Sequence, residues 1–247
     1  MWPLKVLLFL FGLGVGSFLN VVIWRLNYGY SPIKGRSFCP KCRHKLAWFD
    51  TIPLLSFVFL RGRCRYCQQK ISWQYPLVEL ATAFLTVVTF FRFFPDLRVT
   101  CYVSLVAFSL IVIFVSDLHY YIIPDEVVYP LLVISLLFFP KNVLIGLAAA
   151  GLFLLLVLLT RQKGMGQGDV KLAGLMGLIL GWPKIMIALY LAFLTGAFIG
   201  VILIVLGKKR FGQIIPFGPF LTGAAYLTLL YGDQIKTWAL QNWLHFS

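Results

Sequence analysis

Charged residues are scarce in this chain of 247 residues, where Asp, Glu, Lys and Arg together make up 12%. Acidic residues are the rarer kind, with only eight in the whole sequence. Hydrophobic residues reach 60%, and the mean hydropathy is +0.89. Because a soluble globular domain carries about twice this share of charge, the composition excludes an ordinary soluble protein and predicts a membrane protein.

Long uncharged runs recur along the sequence at the length that a helix needs to cross a bilayer, about 20 residues. Five runs have this length, at residues 6–24, 99–116, 142–160, 185–207 and 211–232. Three shorter runs, at residues 80–91, 127–139 and 172–182, reach it when their neighbours are included. The sequence therefore predicts an all-α, polytopic membrane protein with about eight transmembrane helices.

The distribution of Lys and Arg predicts how these helices are oriented. If the N-terminus lies outside and the helices alternate in direction, sixteen basic residues face the cytoplasm and six face the other side. The positive-inside rule favours this arrangement, which also leaves the C-terminus outside. The net charge of +14 is then mainly a topology signal, with attraction to anionic lipid as a secondary effect. No soluble basic domain is present to support the alternative, binding of nucleic acid.

Two aspartates lie at the ends of uncharged segments. Asp117 closes the run at residues 99–116, and Asp169 lies in the Gly-Met-Gly-Gln-Gly-Asp-Val-Lys segment at residues 164–171. An ionisable side chain at membrane depth is costly and therefore a candidate functional group. The predicted topology places both at the cytoplasmic face, and two carboxylates at one depth suffice for acid/base hydrolysis without a metal. The alternative is that each is an ordinary helix-end acid.

The position of each aspartate on its helix predicts different roles for the two. Asp169 is expected near a helix N-terminus, where the helix dipole and free N–H groups stabilise a carboxylate. Asp117 is expected at a helix C-terminus, where the dipole opposes ionisation. Asp169 is then the predicted base and Asp117 the predicted acid, although a coupled pair titrates as a unit and the assignment can reverse. Asp125 is a rival for the first position, but its place after Pro124 is typical of a helix cap.

The one sizeable hydrophilic segment, at residues 26–75, contains two Cys-x-x-Cys pairs: Cys39, Cys42, Cys64 and Cys67. Four thiolates in this spacing suit a closed tetrahedral zinc site, which would stabilise a segment too short to bury much core. The role predicted for the metal is structural, because four thiolates leave no position for water. Two disulfides or a redox dithiol are the alternatives, and cytoplasmic placement argues against stable disulfides. Cys101 is expected to be a small buried apolar residue.

An ordered series of motifs resembles the type IV prepilin peptidases, the inner-membrane aspartic proteases of bacterial pilus and type II secretion systems. The series includes residues 16–26 (Gly-Ser-Phe-Leu-Asn-Val-Val-Ile-Trp-Arg-Leu), the two cysteine pairs with Ile-Pro-Leu-Leu-Ser at 52–56 between them, Tyr-Pro-Leu-Val-Glu at 75–79, Asp117 with Ile-Pro-Asp at 123–125, Gly-Gln-Gly-Asp-Val-Lys at 166–171 and Pro-Phe-Gly-Pro-Phe at 216–220. The segment between Leu26 and Cys39 is short for this family, and Asn27 stands where the family often has proline.

The resemblance implies that Asp117 and Asp169 are catalytic and that the chain is an inner-membrane protein. It implies pilin-like precursors as substrates, with a basic leader, a Gly at the cleavage point and an apolar helix beginning with Phe or Met. It also implies S-adenosylmethionine as methyl donor for the new N-terminus, through residues that the sequence leaves unidentified. Glu79, Asp125 and Glu126 are the candidates for contact with the basic leader.

Three segments follow from these predictions: a first transmembrane helix at 1–25, a zinc-binding cytoplasmic insertion at 26–75, and a seven-helix membrane domain at 76–247. Two other classes of function compete with a peptidase. In a proton-coupled transporter the aspartate pair would be a relay across the bilayer, but both aspartates lie at one face and no carboxylate is expected in the interior of the remaining spans. A purely structural component of a secretion assembly would not require the Gly-x-Gly-Asp element.

Overall fold

A computed structural model describes residues 2–32, 34–160, 165–210, 213 and 215–244 of the chain. Over these residues the fold is helical and contains no strand, apart from two isolated bridges in the cysteine-rich segment. The α-helices are α1 (Trp2–Asn27), α2 (Leu55–Phe59), α3 (Gln74–Phe93), α4 (Leu97–Tyr120), α5 (Asp125–Phe138), α6 (Val143–Leu159), α7 (Gln167–Leu180), α8 (Lys184–Val205) and α9 (Gly218–Leu244). The predicted all-α class is confirmed.

Each of the eight predicted runs overlaps one of these helices, but fewer than eight of the helices have the length and composition of a membrane span. Five helical segments are long and apolar enough to cross a membrane: α1, α3, α4, α8 and Pro140–Leu159, which joins a 3-10 turn to α6. Helices α5 and α7 have 14 residues each, about 21 Å at 1.5 Å per residue, against roughly 30 Å of hydrocarbon. The count of eight transmembrane helices is therefore not confirmed.

The chain divides into two compact units, Met1–Val112 and Ile113–Ser247, with the boundary inside α4. In the first unit α1 packs closely on α3, and two glycines of α1 permit the approach. A Cβ at Gly12 would lie 2.5 Å from the Cα of Ala83, and one at Gly16 would lie 2.7 Å from the Cα of Glu79. The first helix and the cysteine-rich segment thus belong to one packed unit, whereas the three-segment division drawn from the sequence stays a prediction.

Helix α7 forms the centre of the second unit. Nine of its fourteen residues are buried, and it contacts α5, α6, α8 and α9. Glycine and alanine at positions that face α6 allow the two helices to lie close, since a Cβ at Gly177 would lie 2.8 Å from the Cα of Gly146. The position of the helix that carries Asp169 is therefore fixed by packing against four neighbouring helices.

Two carboxylates lie where the apolar runs predicted none. Helix α3 begins at Gln74, before the apolar run at 80–91, so Glu79 lies inside a membrane-length helix and is buried. Helix α9 extends past the run at 211–232 and includes Asp233, which pairs with Lys184 at 2.8 Å. Both carboxylates lie in helices but outside the apolar runs, because the helices extend beyond the runs that indicated them, so the expectation that the remaining spans lack an interior carboxylate stays a prediction.

Candidate active site and metal centre

Asp117 lies in the last turn of α4, and only 7% of its surface is exposed. Its Oδ2 accepts a hydrogen bond of 2.8 Å from the backbone N–H of Gly218, 101 residues further along the chain. Gly218 is the first residue of α9, and a helix N-terminus presents unpaired N–H groups and the positive end of the dipole. Asp117 therefore contacts the N-terminus of one helix while belonging to the C-terminus of another.

Gly218 is a site residue that the sequence revealed only as part of the Pro-Phe-Gly-Pro-Phe motif. A Cβ at this position would lie 2.6 Å from Oδ2 of Asp117, so any larger residue would displace the carboxylate. The sequence does contain a signal, because Gly218 is followed by Pro219 at the start of an apolar run, and proline in the first turn marks a helix N-terminus. What the signal could not reveal is which anion that N-terminus faces.

Asp169 lies in the first turn of α7 and is also 7% exposed. Its Oδ2 accepts a 3.0 Å hydrogen bond from the backbone N–H of Gly166, which closes the helix N-terminus. The intervening Gly168 packs against Ile123, whose Cβ would be 3.0 Å from a Cβ added to the glycine. In the Gly-x-Gly-Asp element, the Asp169 carboxylate thus caps the N-terminus of α7, and Gly168 allows close contact with Ile123 in the loop that follows α4.

The structure brings the two predicted aspartates together within the second unit. Their charges are close enough to repel each other, both side chains are buried, and each accepts one backbone N–H at a helix N-terminus. Two such carboxylates favour a state in which only one of them is ionised, since like charges in a buried site disfavour double ionisation. The arrangement can accept a proton from water and donate one to a carbonyl oxygen.

Asp125, the rival aspartate, has a different partner. It lies in the first turn of α5, and its two carboxylate oxygens accept hydrogen bonds of 2.7 and 2.9 Å from Nζ of Lys171. The Lys171 ammonium also lies 5.4 Å from the centre of the Tyr129 ring. This ion pair joins α5 to α7 two residues after Asp169, so Asp125 is a structural neighbour of the pair. Glu126 is exposed.

The four cysteines that the sequence indicated lie together in the first unit. Their sulfur atoms all fall within 4.8 Å of one another, and the Sγ atoms of Cys39 and Cys67 are 3.9 Å apart. Four sulfurs about 2.3 Å from a tetrahedral zinc ion would be about 3.8 Å apart. The predicted cluster is therefore assembled with dimensions that fit a metal ion.

The two cysteine pairs have the same backbone structure. In the first, Cys39 N–H donates to His44 and the N–H of Arg43 donates back to Cys39. In the second, Cys64 and Gln69 are bonded in the same way, and Gln68 donates to Cys64. Arg43 and Gln68, each directly after the second cysteine of its pair, both have positive φ, 61° and 58°. Each turn points both of its sulfurs toward one centre.

The donor set itself indicates a cation. The backbone N–H of Gln69 lowers the pKa of the Cys67 thiol, but burial and hydrogen bonds with the other three cysteines outweigh this effect and raise that pKa to about 12. Four crowded thiols therefore resist forming several thiolates by themselves. A divalent ion bound by the four sulfurs would supply the missing positive charge, because metal binding and deprotonation of such ligands are linked.

Asp50 lies in the segment that follows the first cysteine pair and links this segment, through hydrogen bonds, to residues of the second pair. Its carboxylate accepts hydrogen bonds from Arg65 at 2.8 Å and Tyr66 at 3.1 Å, and from the backbone N–H of Ala47 at 3.3 Å. Burial raises the pKa of Asp50, but these hydrogen bonds and the Arg65 charge outweigh burial and hold the pKa below its ordinary value. The ionised Asp50 side chain therefore stabilises the fold of the cysteine-rich segment.

Two further residues of the first unit differ from expectation. Cys101 is exposed on α4 and lies outside the cluster, so the expectation that it is buried was wrong. Arg25, at the end of α1, is only 4% exposed and donates hydrogen bonds to five backbone carbonyls of one loop, those of residues 31, 32, 34, 35 and 36. Arg25 thus organises the entrance to the cysteine-rich segment, a role that its place among basic residues did not reveal.

The fold and these sites define a helical membrane protein that combines a buried carboxylate pair with a four-cysteine cluster. Residues 10–93 match the Bacterial Peptidase A24 N-terminal domain, and residues 104–201 match the Type IV leader peptidase family. The chain belongs to the type IV leader peptidase family, which confirms the resemblance found in its motifs. The first match contains the cysteine cluster, and the second contains both aspartates.

Relatives support this membership over nearly the whole chain. The prepilin leader peptidase/N-methyltransferase of Aeromonas hydrophila is 38% identical, over 98% of this chain and 96% of its own length. Proteins with the same name from Bacillus subtilis and Pseudomonas aeruginosa are 35% and 34% identical, over 93% and 94% of this chain and 95% and 92% of their own lengths. No solved structure matches the chain.

Proposed function

We propose that this chain is a membrane aspartic endopeptidase that removes the basic leader from pilin-like precursors and then N-methylates the new N-terminus. Membership of the type IV leader peptidase family and the names of the full-length relatives support both activities. The observation that carries the peptidase assignment is the meeting of Asp117 and Asp169, two buried carboxylates that are 52 residues apart in the sequence.

In the proposed mechanism the two carboxylates hold one proton between them. The ionised carboxylate accepts a proton from water as the water oxygen attacks the scissile carbonyl carbon. The protonated carboxylic acid donates its proton to the carbonyl oxygen, which gives a tetrahedral diol. The carboxyl group that took the proton from water then passes it to the leaving nitrogen as the C–N bond breaks. The other carboxylate takes a proton back from a hydroxyl of the diol, which restores the one-proton state of the pair. The two carboxylates and one water molecule thus account for every proton transfer in this cycle.

The two aspartates differ less in their surroundings than their helix positions predict. Asp169 lies at a helix N-terminus and Asp117 at a helix C-terminus, as expected. However, Asp117 also receives the N–H of Gly218 at the N-terminus of α9, which stabilises its ionised form as Gly166 stabilises that of Asp169. We therefore assign the acid and base roles to the pair, and substrate binding would decide which member holds the proton.

The charge distribution supports a location in the bacterial cytoplasmic membrane with the aspartates at the inner face and both termini outside. A basic leader would then stay in the cytoplasm while the apolar helix of the precursor enters the bilayer, leaving the scissile bond near the aspartates. Among the candidates for contact with the leader, Glu126 is exposed. Asp125 is neutralised by Lys171, and Glu79 lies buried in the other unit.

Zinc is the proposed metal of the cysteine cluster, where Cys39, Cys42, Cys64 and Cys67 would hold it as a closed structural site. S-adenosylmethionine is the proposed methyl donor, in keeping with the N-methyltransferase activity named in the relatives. The lipid bilayer and pilin-like precursors are the proposed partners, and no interaction with nucleic acid is proposed.

The proposal is tested with purified protein in detergent, a pilin-like precursor and S-adenosylmethionine, followed by mass determination of the products. Loss of a leader-sized fragment supports the peptidase, and a further gain of one methyl group supports the methyltransferase. An uncleaved precursor would contradict the proposal. Proton movement across vesicles by the same preparation, without cleavage, would instead support the proton-coupled transporter.

A further inference from the structure

Glu79 is a buried carboxylate that the peptidase mechanism does not use. It lies in the second turn of α3, and its Oε2 accepts a 2.9 Å hydrogen bond from the backbone N–H of Leu54. Ser17 of α1 lies beside it, with its hydroxyl donating a 3.4 Å hydrogen bond to the backbone carbonyl of Thr51. None of the ion pairs formed by the described residues includes Glu79. Its contacts are thus neutral donors only, although a buried carboxylate is most stable beside a cation.

Asn20 supplies a second acceptor on the same seam between α1 and α3, one helical turn after Gly16 on α1. Its Nδ2 donates to the carbonyl oxygens of Gly16 at 3.3 Å and Tyr75 at 3.0 Å, which fixes the orientation of the amide. Its Oδ1 is buried and has no hydrogen-bond partner, in a side chain that is 1% exposed. A buried acceptor without a donor destabilises the fold, so a donor from a bound molecule would stabilise this side chain.

Gly16 connects the two side chains. It accepts the Asn20 amide through its carbonyl, and its Cα lies so close to α3 that an added Cβ would be 2.7 Å from the Cα of Glu79. The seam therefore holds a carboxylate and an amide oxygen, both acceptors, in the unit that also contains the cysteine cluster. A group with several N–H donors and a positive charge matches this pair of acceptors.

We propose that Glu79 and Asn20 form a binding site for a primary amine in the methylation reaction. The inference rests on the proposed methyltransferase function. Two molecules in that reaction carry such a group: the new N-terminus of the mature chain and the amino-acid end of the methyl donor. A primary ammonium carries three N–H donors and a positive charge, which match a carboxylate and an amide oxygen on one seam, and none of the ion pairs of the described residues supplies such a group to Glu79.

The segment between the cysteine pairs covers Glu79. Leu54 contacts the carboxylate with its backbone N–H while having φ 59° and ψ −49°, a sparsely populated conformation for a leucine. Backbone strain of this kind is concentrated at active sites, ligand clamps and switch regions. Movement of this segment would release one carboxylate oxygen and relieve the strain, so an amine can replace the Leu54 N–H.

If the amine is the new N-terminus, the chemistry balances within the site. The ammonium transfers one proton to the Glu79 carboxylate, which leaves a neutral amine with a lone pair. The lone pair forms the new N–C bond to the methyl carbon of the sulfonium donor. The C–S bond breaks with its electrons on sulfur, which becomes a neutral thioether, and the methylated nitrogen is left as a secondary ammonium.

The test compares Glu79→Gln with wild type in the full-length protein, using a peptide with a free N-terminal Phe and S-adenosylmethionine. Gln retains an oxygen for the Leu54 N–H but removes the charge, so methylation is expected to fall about ten- to a hundredfold in kcat/KM, as for one charge-assisted hydrogen bond. Leader cleavage and zinc content of the same variant are measured in parallel, and retention of either shows that the variant is folded. Asp96→Asn is the matched control, because Asp96 is an exposed acid that caps α4 through its bond to Val99 and Asn caps equally well.

The KM values distinguish the two sources of the amine. A rise in KM for the peptide alone assigns the site to the new N-terminus, and a rise in KM for S-adenosylmethionine alone assigns it to the donor. Methylation at the wild-type rate by Glu79→Gln overturns the proposal. Absence of methylation in wild type that still cleaves its precursor would reject the proposed methyltransferase function instead.

A measurement on the wild-type protein remains decisive if Glu79→Gln fails to fold. Carbodiimide joins a carboxylate to an amine in contact with it, so either the free peptide or S-adenosylhomocysteine should couple to Glu79, as located by mass spectrometry. The N-acetylated peptide should not couple. Coupling of both amines only to other carboxylates would overturn the proposal.

Discussion

The unit at Met1–Val112 and the unit at Ile113–Ser247 both contain membrane-length helices and both bury carboxylates, but they hold these groups differently. In the second unit Asp117 and Asp169 each accept an N–H from the N-terminus of a helix. In the first unit Glu79 accepts an N–H from a strained residue in the segment between the two cysteine pairs.

This difference separates a site fixed by helices from one that depends on loops. Helix ends in a packed bundle are rigid, so the aspartate pair is set once α4, α7 and α9 are in place. The cysteine-rich segment has only short helices and little buried surface, so its order depends on cross-links such as Asp50 and a bound metal. Substitutions should therefore affect cleavage and methylation separately, according to the unit in which they fall.

The largest expected effect comes from removing either charge of the pair. Asp117→Asn and Asp169→Asn should each lower leader cleavage by about a thousandfold or more, because each removes a group needed for acid/base catalysis. Zinc content and methylation of a precleaved peptide should remain near wild type. The Asp96→Asn protein, assayed for cleavage in parallel, should behave as wild type. Strong cleavage by Asp117→Asn would show that this residue is not one of the two catalytic aspartates.

Substitution of a cysteine in the cluster is expected to have the opposite effect, with methylation reduced and cleavage retained. Wild-type protein purified without chelator should contain about one zinc per chain, the stoichiometry of a four-thiolate site. Cys39→Ser or Cys64→Ser should release the metal and strongly reduce methylation, while most of the cleavage activity is retained. Metal analysis and both assays check this expectation. Cys101→Ser is the control and should keep its zinc; a wild-type protein without zinc would refute the assignment.

The sequence identified the candidate functional residues of both units but not the contacts that these residues make. Asp117, Asp169 and the four cysteines stand out in the sequence because charge at membrane depth and Cys-x-x-Cys spacing are local signals. The partners of these residues depend on tertiary structure: Gly218 is 101 residues from Asp117. Likewise, the apolar runs indicated where helices lie but not where they end, and so Glu79 was not recognised as buried within α3.

Gly218→Ala tests whether the helix ends of the second unit hold the Asp117 carboxylate rigidly. The added Cβ would lie 2.6 Å from Oδ2 of Asp117 and should displace the carboxylate from the Gly218 N–H. Loss of a hydrogen bond to a charged group corresponds to about a ten- to hundredfold decrease in kcat. Gly223→Ala is a matched control in the same helix, because nothing lies within 4 Å of its Cβ position. Equal cleavage by the two variants would mean that the site adapts and that the helix ends do not fix it.

The smallest effect is expected at the ion pair between Asp125 and Lys171, which joins α5 to α7 near Asp169. Both side chains are partly exposed, and exposed ion pairs contribute about 0.2–1 kcal/mol, so Asp125→Asn should reduce cleavage no more than about fivefold. Because the pair holds two elements in place, the exchange Asp125→Lys with Lys171→Asp should recover activity lost in either single variant. If Asp125 instead binds the basic leader, the exchange will not restore cleavage, and KM will rise most for precursors with the most basic leaders. If Asp125→Asn abolishes cleavage while Asp117→Asn remains active, Asp125 and not Asp117 is the partner of Asp169.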